Sequence, residues 1–206
     1  MGKKLLKCAI IVVVSIFVVY NSIYFKKLDE VKASANKEFN ATAYARNYLD
    51  KKLIPSIGTI PSTDSLLSIL KQNAPNAFKT YSHAMDIGNI GYFMSKGQGV
   101  VTSIDESDVS ILTPDKQNIK IATEYIFGNA LRDAPGIINI NDFTNTGDLN
   151  SISSELDKIV RNEVVPPFKA KVKKGDKIEF AGAFELNKEH LNLDNIEVIP
   201  FYLKIQ

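Results

Sequence analysis

The chain has 206 residues, a single cysteine and a formal net charge of +2 at pH 7. Without Lys3, Lys4 and Lys7 the charge is −1, so the rest of the chain lacks the basic surface that nucleic acid requires, and we predict no nucleic-acid partner. About 170 residues follow the apolar N-terminal segment, which is enough for one domain with a hydrophobic core.

The N-terminus predicts a membrane anchor over residues 1–25. Three lysines precede an apolar run over residues 8–20, which continues weakly to residue 25. A cleaved signal peptide is the alternative, but the residues that follow Tyr20 fit a cleavage site poorly. Residues 5–25 approach the roughly 20 that span a bilayer as a helix. The basic N-terminus stays cytoplasmic, so we predict a single-pass protein of the inner (cytoplasmic) membrane with its C-terminal domain in the periplasm or outside.

The position of the cysteine argues against attachment through a lipid. A lipidated cysteine follows the apolar run and has a small residue before it, whereas Cys8 precedes the run and follows Lys7. We interpret Cys8 as an unmodified anchor residue. The exported part then has no disulfide, which is compatible with a bacterial envelope and unusual for a small eukaryotic secreted domain.

The exported part predicts a juxtamembrane stalk over residues 26–38 and one domain over residues 39–206, with a helical part over 39–82. A first helix is expected over residues 41–53, with Asn40 as its N-cap and Pro55 preventing its continuation. A second helix starts after Ser62 and ends before Pro75, and a short helical piece follows up to Tyr81.

Residues 91–206 predict a β-barrel part, because the apolar period changes from helical to two. Strands are expected over residues 92–104, 109–111, 119–127, 177–186 and 195–205, with one helix over 149–162 between strands 3 and 4. Gly97 and Gly99 suggest a bulge or bend in the first strand, and Pro200 suggests an edge or a bulge in the last. We predict the α+β class: a transmembrane helix, a small helical segment and an OB-like antiparallel Greek-key barrel, although other small α+β arrangements use the same elements.

The most distinctive segment is FGNALRDAPGIININD with the following FTN, residues 127–145. Its polar groups suit a carboxylate, a phosphate or sugar hydroxyls, so they are candidates for a small-molecule pocket at one end of the barrel. The alternative is a loop that satisfies itself, in which Arg132 pairs with Asp133 or Asp142 and the asparagines cap turns and helix ends. The candidate ligand-binding residues are Asn129, Arg132, Asp133, Asn141, Asp142, Thr144 and Asn145.

Other site chemistry has little support in the sequence. Asp133 and Asp142 suggest a glycosidase carboxylate pair only remotely, because nothing fixes their separation. His83 and His190, the only histidines, have no partner at metal-ligand spacing and are expected to be exposed. We therefore predict no catalytic residue, no metal site and no cofactor, and we predict that the protein is not an enzyme. The lysines of residues 169–177 either contact anionic lipid headgroups or protect a strand edge.

Several segments resemble one family. They are FNATAYARNYLDKKLIPSI, SKGQGVVTSID, GNALRDAPGIININD with FTN, GDKIEFAGAFEL and IEVIPFYLKI. Together they are similar to the bacterial predicted periplasmic lipoproteins classed as domain of unknown function twenty-two ninety-one. The resemblance implies an exported protein, attached to the membrane by a lipid and often encoded beside sugar ABC transporters; it implies no catalytic residue. This chain departs from the family pattern at the lipid cysteine, which a hydrophobic anchor replaces.

Three functions follow from these features. The first is a membrane-anchored exported binding or accessory protein, with a sugar or another small polar ligand and an ABC transporter component as possible partners. The second is a structural or protein-interaction module of the envelope, and the third, remote, is a hydrolase. An open pocket at Arg132 favours the first, a buried and fully paired Arg132 favours the second, and two carboxylates facing each other across a cleft favour the third.

Overall fold

A computed structural model describes residues 39–85, 87–143 and 145–206, together with residues 2, 12–14 and 17. The chain divides into two compact units, Met1–Phe39 and Asn40–Gln206, and the second contains all the elements below. Within the described residues, no helix combines the length and the apolar character needed to cross a membrane. Most of the expected anchor and all of the stalk over 26–38 lie outside the described residues, so both stay predictions.

The helical part consists of short helices that mostly begin at a polar cap. Its elements are α1 (Ala41–Tyr48), a π-helical turn (Leu49–Leu53), α2 (Ile54–Ser56), α3 (Thr63–Gln72) and α4 (Ala74–Tyr81). The Asn40 side chain accepts a hydrogen bond from the Ala43 amide at 2.9 Å, as the sequence predicted. Ser62 and Asn73 cap α3 and α4 in the same way.

The first helix does not end at Pro55, which corrects the sequence-based boundary. Proline lacks an amide hydrogen and clashes with the carbonyl four residues earlier, so it normally ends an α-helix. Here the π-helical turn directly precedes it, and the Ile54 amide bonds the Leu49 carbonyl five residues back. The wider turn lets the helix pass the proline.

Six strands form the sheet of the domain. They are β1 (Ser82–His83), β2 (Ile90–Ile104), β3 (Asp108–Leu112), β4 (Asn118–Ala122), β5 (Lys177–Asn187) and β6 (Ile196–Ile205). The order is β1-β2-β3-β4-β6-β5, and β2 also pairs with β5, so β2 to β6 close into a five-stranded barrel to which β1 adds an edge. The pairing of β4 with β6 is parallel and the other pairings are antiparallel. The α+β class and the OB-type barrel are confirmed, although its sheet is mixed rather than purely antiparallel.

The connection between β4 and β5 is helical, as expected. It contains α5 (Ala130–Asp133), a 3-10 turn (Ile140–Asp142), α6 (Thr146–Ile159), a second π-helical turn (Val160–Val164) and α7 (Val165–Lys169). The helix expected to end at 162 therefore continues to 169, again because a π-helical turn precedes prolines, Pro166 and Pro167.

Two further strand predictions need correction. The third barrel strand ends at Ala122 rather than at 127, because the amides of Thr123 and Glu124 turn back to the Ser107 carbonyl. The irregularity of β2 lies between Val101 and Ser103, beyond the two glycines. In β6 the register shifts beside Pro200, as predicted, with Gly182 opposite Pro200 and Ala181 opposite Tyr202.

One core joins the helices to the barrel. Leu66, Leu67 and Leu70 of α3 belong to the same buried cluster as residues from all five barrel strands. Aromatic rings order its centre: Phe93 stacks on Phe184 with centroids 5.4 Å apart and meets the edge of Phe78 at 5.0 Å. The helical part therefore packs as a component of the barrel domain.

Candidate functional site

The polar run folds around a buried ion pair. Arg132 and Asp133 lie in α5 and are only 4% and 2% exposed. The guanidinium donates twice to the one carboxylate, from Nε to Oδ1 at 2.5 Å and from an Nη to Oδ2 at 3.0 Å. Such a bidentate geometry satisfies both carboxylate oxygens and removes the planar fork of Arg132 from solvent. Of the alternatives left open by the sequence, the pairing with Asp133 is the one formed.

Helix α1 covers this pair. The Tyr48 hydroxyl donates to the Arg132 carbonyl at 3.2 Å, and the Tyr44 ring meets the edge of Phe143 with centroids 5.8 Å apart. Burial, with contributions from Tyr44 and Asp133, raises the pKa of Tyr48 and keeps its hydroxyl protonated as a donor. The run is therefore fixed to α1 at two points, Arg132 and Phe143.

The asparagines of the run act at turns and helix starts. Asn129 accepts a hydrogen bond from the Ser153 hydroxyl of α6 at 2.9 Å. Asn145 caps α6 by accepting from the Asp148 amide at 2.9 Å. Asn141 and Asp142 are exposed in the 3-10 turn, and Thr144 lies outside the described residues. Ligand contact by the exposed Asn141, Asp142 and Asn145 stays a prediction.

Asp133 and Asp142, the two carboxylates of the remote hydrolase hypothesis, do not form a pair. Asp133 is buried with both oxygens bound to Arg132, whereas Asp142 is exposed, so the two do not share an open cleft. His83 and His190 are both exposed, as expected. In the part of the chain that the structure describes, no three His, Cys, Asp or Glu side chains lie close enough to hold a metal ion.

A second polar group holds the residues at the start of the run. The buried Asp157 carboxylate accepts a hydrogen bond from the Gly128 amide, and Arg161, one helical turn later, donates to the Ile126 carbonyl. Burial raises the pKa of Asp157 to about 7 against the opposing effects of Arg161 and the Gly128 amide. Ile126 is buried between Tyr125 and Phe127, which are 66% and 68% exposed. The loop therefore displays two aromatic side chains from a fixed backbone.

The barrel carries an open groove that the sequence did not reveal. Two clefts of about 330 and 360 Å³ adjoin there, since Gln98 and Pro114 line both. Each is within the roughly 300–1,000 Å³ of small-molecule sites. We call the two together the barrel groove: its first cleft reaches Tyr202 and Glu179, and its second reaches Leu112 and Lys177.

Two glycines of β2 allow close packing of neighbouring residues beside the groove. A Cβ on Gly97 would lie 2.8 Å from the Phe180 ring, and one on Gly99 would lie 2.8 Å from the Leu112 carbonyl oxygen. A Cβ at Gly97 would displace the buried Phe180 ring, and one at Gly99 would clash with the backbone of β3. In the sequence these glycines predict a bulge or bend in the first strand. The close packing that glycines permit could also have indicated the groove.

The two clefts differ in charge. The first contains the carboxylates of Asp64 and Glu179, and its lysine, Lys96, donates to the Ile57 and Gly58 carbonyls at 2.8 and 3.1 Å. The second contains Lys116 and Lys177 and no acidic side chain. Among the described residues neither of these lysines has an ion-pair partner.

Lys116 has a backbone conformation that normally selects glycine or asparagine. Its φ is +59°, in the left-handed region. The turn is held by the Lys116 amide on the Thr113 carbonyl at 2.9 Å and by the Thr113 hydroxyl on Asp64 at 2.5 Å. A non-glycine residue in this region costs about 1 kcal/mol, which the surrounding contacts offset.

Comparison with protein families agrees with the sequence resemblance. The family model "Predicted periplasmic lipoprotein (DUF2291)" matches residues 13–204. The chain belongs to this family. Family membership makes it a membrane-attached, exterior-facing protein of unknown function. The match starts after Cys8, which therefore lies outside the part that the family model covers.

A solved structure supports the fold. The chain resembles the crystal structure of an OB-fold protein from Thermotoga maritima, determined at 1.90 Å, with 28% sequence identity and a TM-score of 0.71. The likeness covers 82% of this chain and 99% of that one. No curated protein matches the chain.

Proposed function

We propose that this protein is a membrane-attached accessory protein of the bacterial envelope that binds a small polar ligand, such as a sugar, in the barrel groove and assists a sugar ABC transporter. A single-pass anchor over residues 1–25 would hold it to the inner membrane. The observation that carries the proposal is the pair of adjoining clefts over Gln98 and Pro114. The transporter component of the proposal rests on the family resemblance alone.

The groove offers the groups that bind hydroxylated rings. Tyr202 provides an aromatic surface, Gln98 an exposed amide, and Asp64 and Glu179 carboxylates that accept hydrogen bonds from hydroxyl groups. By contrast, Arg132 is buried and donates two hydrogen bonds to Asp133, so we place the ligand in the barrel groove rather than at this pair.

Isothermal titration calorimetry of the full-length protein in detergent tests this proposal. The titrants are D-xylose, D-ribose, D-glucose and D-galactose, each also assayed as its acidic derivative. We expect a saturable signal that Gln98→Ala and Tyr202→Ser abolish, while Gln72→Ala, an exposed glutamine on α3 away from the groove, leaves it intact. The absence of binding by every titrant, or equal loss in all three variants, would reject the groove as a sugar site.

A second candidate is a protein-interaction module. It is favoured by the closed polar network at Arg132 and by the four exposed apolar side chains nearby in sequence: Tyr125, Phe127, Ile137 and Ile140. Preorganised aromatic side chains lower the entropy lost on binding, and the hydrogen bonds of Asp157 and Arg161 hold Phe127 outward.

Site-specific photocrosslinking in cells tests the second candidate. A photoreactive phenylalanine analogue replaces Phe127, or Asn150 as an exposed control on α6. We expect an adduct with a membrane component of a sugar transporter from position 127 and none from position 150. The same adducts from both positions, or none from 127, would contradict a specific interaction at this loop.

A further inference from the structure

We propose that the ligand of the barrel groove is an acidic sugar: a hydroxylated ring that carries one carboxylate or phosphate group. This inference rests on the proposed function and deepens it. The ring would occupy the first cleft beside Tyr202, and the anionic group would lie in the second cleft between Lys116 and Lys177.

The charge of the second cleft carries the first step. Lys116 and Lys177 line it, no acidic side chain does, and within the described residues neither lysine forms an ion pair. Two lysines that line one concave site with no acidic side chain beside them give it a positive local potential, which favours an anion. The lysine of the first cleft is already bound to two carbonyls, so it does not offer the same interaction.

The conformation of Lys116 carries the second step. A lysine occupies a left-handed position where glycine would be more favourable, and the turn that fixes it is tied to α3 through Thr113 and Asp64. Its backbone is therefore fixed at the rim of the cleft. A left-handed residue is usual at the end of a short hairpin turn such as this one between β3 and β4, so the hairpin itself sets the position of Lys116.

The floor of the second cleft limits the rest of the ligand. Val100 and Leu112 face each other across β2 and β3 and are 39% and 41% exposed. This apolar floor suits the C–H groups that join the anionic group to the ring, and it does not suit a fully hydrated ion. Gln98, shared by the two clefts, is positioned to bind ring hydroxyls between the apolar floor and the carboxylates of the first cleft. Ring recognition and anion recognition together select a sugar acid or a sugar phosphate over inorganic phosphate.

Calorimetry on the full-length protein with matched ligands tests the inference. The titrants are D-glucose, D-glucuronate and D-glucose 6-phosphate, the same series for galactose, and inorganic phosphate alone. We expect at least one acidic sugar to bind tenfold or more tightly than its neutral parent, and inorganic phosphate to bind more weakly than that sugar. The carboxylate and phosphate titrants identify which anionic group is preferred.

Variants separate this inference from the proposed function. The double substitution Lys116→Gln with Lys177→Gln should remove the preference for acidic over neutral sugars. The control Lys174→Gln should retain that preference, because Lys174 is exposed and lines neither cleft. Equal binding of neutral and acidic sugars would reject the inference and leave the proposed function intact. If no sugar binds, both the inference and the proposed function are rejected. If the preference for acidic sugars survives the double substitution, the assignment to these two lysines is rejected.

Lys116→Gly provides a test that a damaged fold cannot mimic. Glycine relieves the left-handed strain, so the unfolding temperature should rise by about 2–4 °C for a chain of this size while the preference for acidic sugars falls. A variant that is both stabilised and unchanged in its ligand preference would show that Lys116 takes no part in binding.

Discussion

At the scale of single residues, the Arg132–Asp133 pair decides what the polar run does. The sequence placed the two side chains next to each other but did not fix whether the guanidinium faces solvent or its neighbour. That depends on α1, whose Tyr48 covers the pair from more than eighty positions away in the chain. Such a long-range contact has no signature in the run itself.

We predict that Arg132→Ala lowers the free energy of unfolding by roughly 2–4 kcal/mol, because a buried carboxylate then loses its partner. Urea denaturation followed by circular dichroism measures this, since the chain has no tryptophan to report on folding. Removing both groups in Arg132→Ala with Asp133→Ala should cost less than the sum of the single substitutions. A normally stable Arg132→Ala protein would contradict the closed network.

Asp157 predicts a dependence of stability on pH. Its folded pKa, about 7, lies above the ordinary value of 3.8, so the group binds its proton more tightly in the folded state. Its contribution to stability is fully present below pH 3.8 and is lost as the pH rises towards 7. Asp157→Asn should therefore gain stability relative to wild type between pH 5 and 8. Denaturation of both proteins at the two pH values measures the difference; a gap that narrows with rising pH would contradict the assignment.

At the scale of secondary-structure elements, capping was predictable and helix continuation was not. Asn40 and Ser62 cap helices where the sequence indicated, because a cap depends on residues within one turn. The helices continue past Pro55 and Pro166 because a π-helical turn precedes each proline, and the residue pattern does not indicate these turns. The strands of the barrel were found by their alternation, whereas the groove arises only when β2, β5 and β6 meet.

Asn145 gives a prediction for the start of α6. Asn145→Ala should cost about 1 kcal/mol of stability, since the Asp148 amide loses its acceptor, and Asn145→Asp should retain most of it. Thermal unfolding by circular dichroism measures both. Neither substitution should alter sugar binding in the groove. Because Asn145→Asp preserves the cap, a loss of binding in that variant would indicate that the polar run contacts the ligand.

At the scale of the whole molecule, membrane attachment is the property to test. From the proposed anchor over residues 1–25, we predict that the full-length protein stays in the membrane fraction after Cys8→Ser and incorporates no labelled fatty acid. A chain that begins at residue 36 should be released into the soluble exported fraction. Release of the Cys8→Ser protein would indicate attachment through the cysteine.

The closure of the barrel has a consequence for how the domain crosses the membrane. The long strand β2 ends at Ile104, but β5, with which it pairs, begins only at Lys177. Strand β4 likewise pairs with β6, which lies near the C-terminus. Pairings between such distant segments form slowly. With the cytoplasmic N-terminus that the sequence predicts, β5 and β6 are also the last strands to cross the membrane. The barrel therefore cannot close before export is nearly complete. The strand order thus keeps the chain unfolded while it passes through a translocation channel.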